Sequence, residues 1–207
     1  MSGNGTFLSI GWRYILPVWG VTLLVLIFSD AVLLNLSLIV ISFLVAYLFY
    51  VPERSAPQTS SQALLSPVDG TVLSVRSDEG ESVIVLKKSL FDGSSAIRAP
   101  LAADLLEPRV VHGLFLGSGT PLAATLNEHG SFTFLGPEHE VRILVWCGFY
   151  ALGLPLLAKG GGIEAGDVVA HLSEGTVELR IPGGVDIEVR PGDRVVGGYS
   201  LLASGAD

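Results

Sequence analysis

The chain has 207 residues, a net charge of −8 and a single cysteine. That charge excludes a nucleic-acid binder, whose phosphate contacts need clustered Lys and Arg. It also excludes a membrane surface held by charge alone, because the cytoplasmic leaflet is itself negative. Only 15% of the residues are charged against 49% apolar, and the apolar excess sits in the first fifty residues, so the composition averages two different materials. Cys147 lies in the apolar run Ile143 to Tyr150; alone it makes neither a disulfide nor a metal cluster and reads as a small buried hydrophobe.

In chain order, Trp12 to Phe28 is almost wholly apolar, with Pro17 and Gly20, both tolerated in membrane helices. Ser29-Asp30 breaks the run. Ala31 to Val51 is apolar again, interrupted only by Asn35, Ser37 and Ser42, and has the roughly 20 residues that cross a hydrocarbon core. So short a break permits only a tight helical hairpin with both ends on one side. Arg13 and Arg54 flank the pair while the turn carries Asp30 and no basic residue, which places the termini and all that follows Val51 on the cytoplasmic side of the inner membrane. Residues 1–51 are thus expected to be a transmembrane hairpin, and the Pro-, Ser- and Gln-rich residues 52–62 a linker.

From Ala63 to Asp207 the pattern becomes short runs rich in Val, Ile, Leu and Phe. The expected strands are Thr71 to Val75, Ser82 to Leu86, Arg109 to Leu116, Phe132 to Leu135, Val141 to Trp146, Val168 to Leu172, Val177 to Ile181 and Val185 to Val189. Leu101 to Leu106 and Thr120 to Asn127 are expected as short helices. The fold class is therefore a two-helix transmembrane hairpin plus an all-β cytoplasmic domain. Ser66-Pro67-Val68-Asp69-Gly70 near its start and Pro191-Gly192-Asp193-Arg194-Val195 near its end resemble the half-motifs of barrel-sandwich hybrid domains of the biotinyl and lipoyl class. A carrier needs a lysine on a hairpin tip, and Lys87, Lys88 and Lys159 are not so placed, which argues against that activity.

The larger order of motifs resembles the phosphatidylserine decarboxylase family in its short bacterial and archaeal form. The matching pieces are Tyr50-Val51-Pro52-Glu53-Arg54, Ser66 to Gly70, Phe91-Asp92 with Arg98-Ala99-Pro100, Asn127-Glu128, and Gly192 to Gly197. The resemblance implies a barrel-sandwich-like β fold and membrane lipid as partner. In that family a serine within a Gly-Ser element attacks the preceding carbonyl, the chain is cut, and a pyruvoyl group is left as the electron sink for decarboxylation, assisted by an Asp and a His.

Asp69 matches the family aspartate, but the histidine is missing: Gly93-Ser94-Ser95-Ala96-Ile97 fills the segment between Asp92 and Arg98. Aligning Val177 to Pro182 with the strand after the cut puts Glu174-Gly175-Thr176 where Gly-Ser-x belongs. Gly117-Ser118-Gly119-Thr120 looks like a cleavage motif but stands mid-domain and reads as a loop. His112, His129, His139 and His171 have no metal-ligand spacing. Two readings follow. In the first, the chain is a decarboxylase-like membrane protein without self-processing, a pseudoenzyme with no cofactor, serving as a lipid- or protein-binding module or as a subunit beside other membrane proteins. In the second, it is a lyase whose pyruvoyl group comes from Ser173, with Asp69 and His171 assisting, since alternation along a strand lets His171 and Ser173 share a face.

Overall fold

A computed structural model describes residues 6–54, 56–57, 63–78, 80–117, 119–183 and 185–205. Most of the expected linker (58–62) and Ser118 of the Gly-Ser-Gly-Thr loop lie outside the described residues. The chain divides into two compact units, Met1–Glu53 and Arg54–Asp207.

In the first unit a 3-10 turn, Ser9–Gly11, leads into helix α1 (Trp12–Phe28), followed by α2 (Val32–Leu48). The helical run Ser9–Phe28 has 20 residues and is long and apolar enough to cross a membrane; at 1.5 Å per residue it spans about 30 Å. The second helix has 17 residues, shorter than the expected Ala31 to Val51. The reason is that Tyr50–Val51 leaves the helix as strand β2 and pairs with β1 (Thr6–Phe7). Side chains such as Leu23, Ile27, Phe28, Val32 and Leu33 are exposed. The helices meet through polar groups: the Thr22 and Ser42 hydroxyls lie 2.7 Å apart, and the Trp19 indole N–H reaches the Ser42 carbonyl at 3.4 Å.

The second unit is built on strands. They are β3 (Leu64–Leu65), β4 (Gly70–Asp78), β5 (Glu81–Lys88), β6 (Ala96–Arg98), β7 (Ala103–Leu105), β8 (Arg109–Val111), β9 (His129–Leu135) and β10 (Glu140–Cys147). After these come β11 (Gly161–Ile163), β12 (Val168–His171), β13 (Gly175–Pro182), β14 (Val185–Ile187), β15 (Arg194–Val195) and β16 (Leu201–Gly205). The main antiparallel sheet runs β11-β7-β9-β10-β13-β5-β4-β15, with β8 also paired to β9. A three-stranded sheet β14-β16-β3 and the pair β12-β6 complete the unit.

Period-two alternation makes the core. Ile84 and Leu86 of β5, Phe132 and Phe134 of β9, Ile143 and Val145 of β10, and Val177 and Leu179 of β13 all point to one face and are buried. Leu64, Ile97, Val169 and Leu202 from the smaller sheets join the same cluster. Leu101 to Leu106 is not a helix: its centre is β7, hydrogen-bonded between β9 and β11. Long-range pairing overrides a local apolar pattern that suits either state. The helix expected over Thr120 to Asn127 is one turn, α3 (Ala123–Leu126). The strand expected over Arg109 to Leu116 stops at Val111, because Asn127 takes hold of the chain beyond it.

Candidate functional site

Asp69 stands at the mouth of β4 and is buried. Its carboxylate accepts four hydrogen bonds from three residues. Arg54 grips both oxygens, at 2.5 and 2.7 Å; the Ser94 amide donates to Oδ2 at 2.7 Å and the Gly197 amide to Oδ1 at 2.7 Å. Gly93 makes the Ser94 contact reachable. It sits at φ +89°, and a Cβ there would collide with Oδ2 of Asp69. Burial pushes the Asp69 pKa up, but the Arg54 hydrogen bond, the Gly197 and Ser94 amides and the Arg54 charge outweigh it. The group therefore titrates below the ordinary carboxylate value. A carboxylate so saturated is a poor general base. It ties the residues after the apolar helices, the segment 92–98 and the carboxy-terminal turn into one knot.

Strand register then places the residues around it. Thr71, Lys87 and Thr176 form one rung across β4, β5 and β13 on the outer face of the sheet. One step along, at the Asp69 end, Gly175 pairs with Lys88, and both face inward. Two strand spacings separate Asp69 from Gly175, about 10 Å. Gly175 lies against β10 so closely that a Cβ would collide with the Trp146 carbonyl oxygen. Lys88 is buried beside it. Burial lowers its pKa, partly offset by Asp69 and Asp92, and its ammonium donates to the Ser89 carbonyl at 3.3 Å. The sequence carried a signal for this lysine, since the alternation Ile84, Leu86, Lys88 already puts it on the core face. Ser94 and Ser95 are buried too; the Ser95 carbonyl accepts from the Leu172 amide.

His171 and Ser173 are both buried. His171 ends β12 in register with Ala96, and its amide donates to the Pro155 carbonyl. Because the strand stops there, alternation does not carry on to Ser173. The Ser173 hydroxyl donates to the Tyr150 carbonyl (3.1 Å) and accepts from the Leu152 amide (3.2 Å). Glu174 is held in the same way: its Oε2 accepts the Tyr150 amide at 2.6 Å and its carbonyl the Gly148 amide.

Asn127 and Glu128 also do positional work. The Asn127 amide spans the Leu116 N–H and carbonyl and the Cys147 carbonyl, all within 2.8 Å. Glu128 joins the Leu154 amide (2.6 Å) to His112 (2.8 Å). The Cys147 thiol is pushed up to about 12, by burial first and the Glu128 charge second, and is inert as a nucleophile. Among the described residues no group of three His, Cys, Asp or Glu is placed to hold a metal.

Comparison with known proteins gives consistent relatives. The chain is 26% identical over 177 residues to a phosphatidylserine decarboxylase proenzyme of Solibacter usitatus, covering 84% of this chain and 85% of that one. It is 28% identical over 205 residues to the proenzyme of the same name from Symbiobacterium thermophilum, covering 93% and 92%. A putative archaetidylserine decarboxylase proenzyme of Methanosarcina mazei is 25% identical over 166 residues, covering 79% and 76%. No family profile matches the chain, and no solved structure matches it.

Proposed function

We propose a function from one premise: this chain is a relative of the phosphatidylserine decarboxylase family along most of its length. It is a membrane-anchored member that stays uncut, carries no pyruvoyl group and acts as a lipid-binding module.

The observation that carries this reading is Gly175. It is the β13 residue that faces inward on the step nearest Asp69, the position at which self-cleavage needs a hydroxyl beside the family aspartate. Glycine has no nucleophile, so no ester forms and no elimination follows. The lack of room against Trp146 means that a side chain there would displace β10. The neighbouring hydroxyls do not replace it. Ser173 spends its proton on the Tyr150 carbonyl, and the residue before it is tied by its own amide to the Ser95 carbonyl. Thr176 faces the opposite side of the sheet. Ser94 fills the place expected for histidine, and Lys88 brings a cation to the Asp69 end. A pyruvoyl group does not fit residues arranged in this way.

The lipid side of the reading is supported by the apolar run Ser9–Phe28 and by the exposed side chains of both helices, a surface that water does not tolerate. The two helices act as a hairpin anchor in the inner membrane, and Arg13 and Arg54 keep the β unit on the cytoplasmic side.

The test is the intact mass of the purified full chain. A single full-length mass is expected. A carboxy-terminal fragment beginning at position 173, blocked at its amino terminus and reactive toward carbonyl reagents, would overturn the reading and make Ser173 the pyruvoyl precursor.

A further inference from the structure

One rung of the main sheet crosses six strands: Val111, His129, Trp146, Thr176, Lys87 and Thr71 lie side by side on β8, β9, β10, β13, β5 and β4. The loops beyond this rung therefore share one end of the β unit with Asp69. Two of them, residues 112–127 between β8 and β9 and residues 148–158 after β10, contain no Asp, Glu, Lys or Arg, in a chain that is 15% charged. Leu114, Leu122, Leu126, Phe149, Tyr150 and Leu152 in these loops are 41% to 62% exposed. The charged groups of this end, Arg54, Asp69, Lys87 and Lys88, gather on the β4-β5 side. The turns at the opposite end of the sheet carry Glu81, Glu138 and Glu140.

The polar groups beneath the two loops are spent on loop backbone. Asn127 ties Leu116 to Cys147, Glu128 takes the Leu154 amide, Ser173 the Leu152 amide and Glu174 the Tyr150 amide. Loops fastened in this way cannot turn their apolar side chains inward. An exposed apolar cluster held in place marks a docking surface.

The rest of the chain points to the occupant. The two loops offer no charge for the polar rim of a protein partner, and at a net charge of −8 the chain is not drawn to lipid by charge. Uncharged aliphatic and aromatic side chains suit the boundary between headgroups and acyl chains. The chain also enters the β unit at this end: Arg54, bonded to Asp69, comes three residues after Val51, the last residue of the apolar segment.

We infer that this end of the β unit docks on the bilayer, where Leu122, Leu126, Phe149 and Tyr150 enter the headgroup boundary as a second attachment beside the helices. The contact is apolar, so it needs no anionic lipid and does not weaken with salt. The inference rests on the membrane-anchored reading above and holds whether or not the chain is cut.

The experiment places an environment-sensitive fluorophore on single cysteines of the full chain in phosphatidylcholine nanodiscs, with and without brominated acyl chains. The parent chain, whose only cysteine is the buried Cys147, gives the blank. The sites are Leu122→Cys and Phe149→Cys in the loops, Glu138→Cys at the opposite end of the sheet and Leu24→Cys on the exposed side of α1. Labels at 24, 122 and 149 are expected to lose emission in brominated lipid, and the label at 138 to keep it. The loss at 122 and 149 should be the same at low and high salt. Quenching at 24 with none at 122 or 149 would overturn the docking and leave the anchor standing. A blue-shifted but unquenched label at 149 would assign the surface to a second copy of the chain and overturn the bilayer as occupant. Quenching at 138 as strong as at 149 would overturn the end-on contact. Quenching at 122 and 149 without 24 would keep the docking and remove the anchor, and quenching nowhere would remove both.

Discussion

Replacing Asp69 by alanine separates a structural carboxylate from a catalytic one. The substitution strands two buried amides, those of Ser94 and Gly197, at about 1–3 kcal/mol each. It also frees Arg54, whose side chain is 18% exposed. Arg54 keeps the Gly197 carbonyl at 2.8 Å and gains water, so its share is smaller. Lys88 loses one of the two carboxylates that favour its charged form. The expected total is about 3–5 kcal/mol, the range for breaking a buried charge pair, or roughly 6–20 °C in melting temperature for a unit of this size. The assay is thermal unfolding of the detergent-solubilised chain followed by the β-sheet circular dichroism signal. A variant melting within about 2 °C of the parent would refute the knot and return Asp69 to the list of candidate bases.

Other outcomes follow from the same geometry. Gly175→Ala should lower stability by about 1–3 kcal/mol, because the added methyl meets the Trp146 carbonyl; urea unfolding measures it. Asp69 titrates below its unfolded value in the folded chain, so its contribution is complete above about pH 4. It is lost as pH falls through the depressed folded value. Asp69→Asn should therefore flatten the acid limb of the stability profile there, and an unchanged limb would contradict the assignment. A reporter fused after Asp207 should behave as cytoplasmic, and a periplasmic signal would reverse the orientation read from Arg13 and Arg54.

The long strands were legible in the sequence because they alternate over five or more residues: β5, β10 and β13 contain the expected runs and extend them by one or two residues at each end. The short ones were not. β3, β6, β11 and β15 have two or three residues each, too few for a period to register, and exist because a partner strand pairs with them. Asp69 was visible beside Gly70, but its four hydrogen bonds come from positions 54, 94 and 197, which no local pattern connects. Lys88 lay on the core side of the alternation Ile84, Leu86, Lys88, but the expected strand stopped at Leu86 and so left it out. Gly175 was visible as a missing serine. What the sequence did not carry was its contact with Trp146, which depends on the register of β10 against β13.

The order of strands has a consequence for synthesis. β13 lies between β10 and β5 in the main sheet, yet it comes after both in the chain. The hairpin β4-β5 and the hairpin β9-β10 leave the ribosome early, each with one long apolar edge awaiting the same partner. They remain separate pieces until residues 175–182 emerge. The sheet therefore closes only once residues 175–182 have been made, when the apolar helices that precede the β unit have long been available to the membrane. Until then the β5 and β10 edges are open templates for mispairing. A chain truncated before position 175 is expected to aggregate rather than to form a smaller version of the same fold.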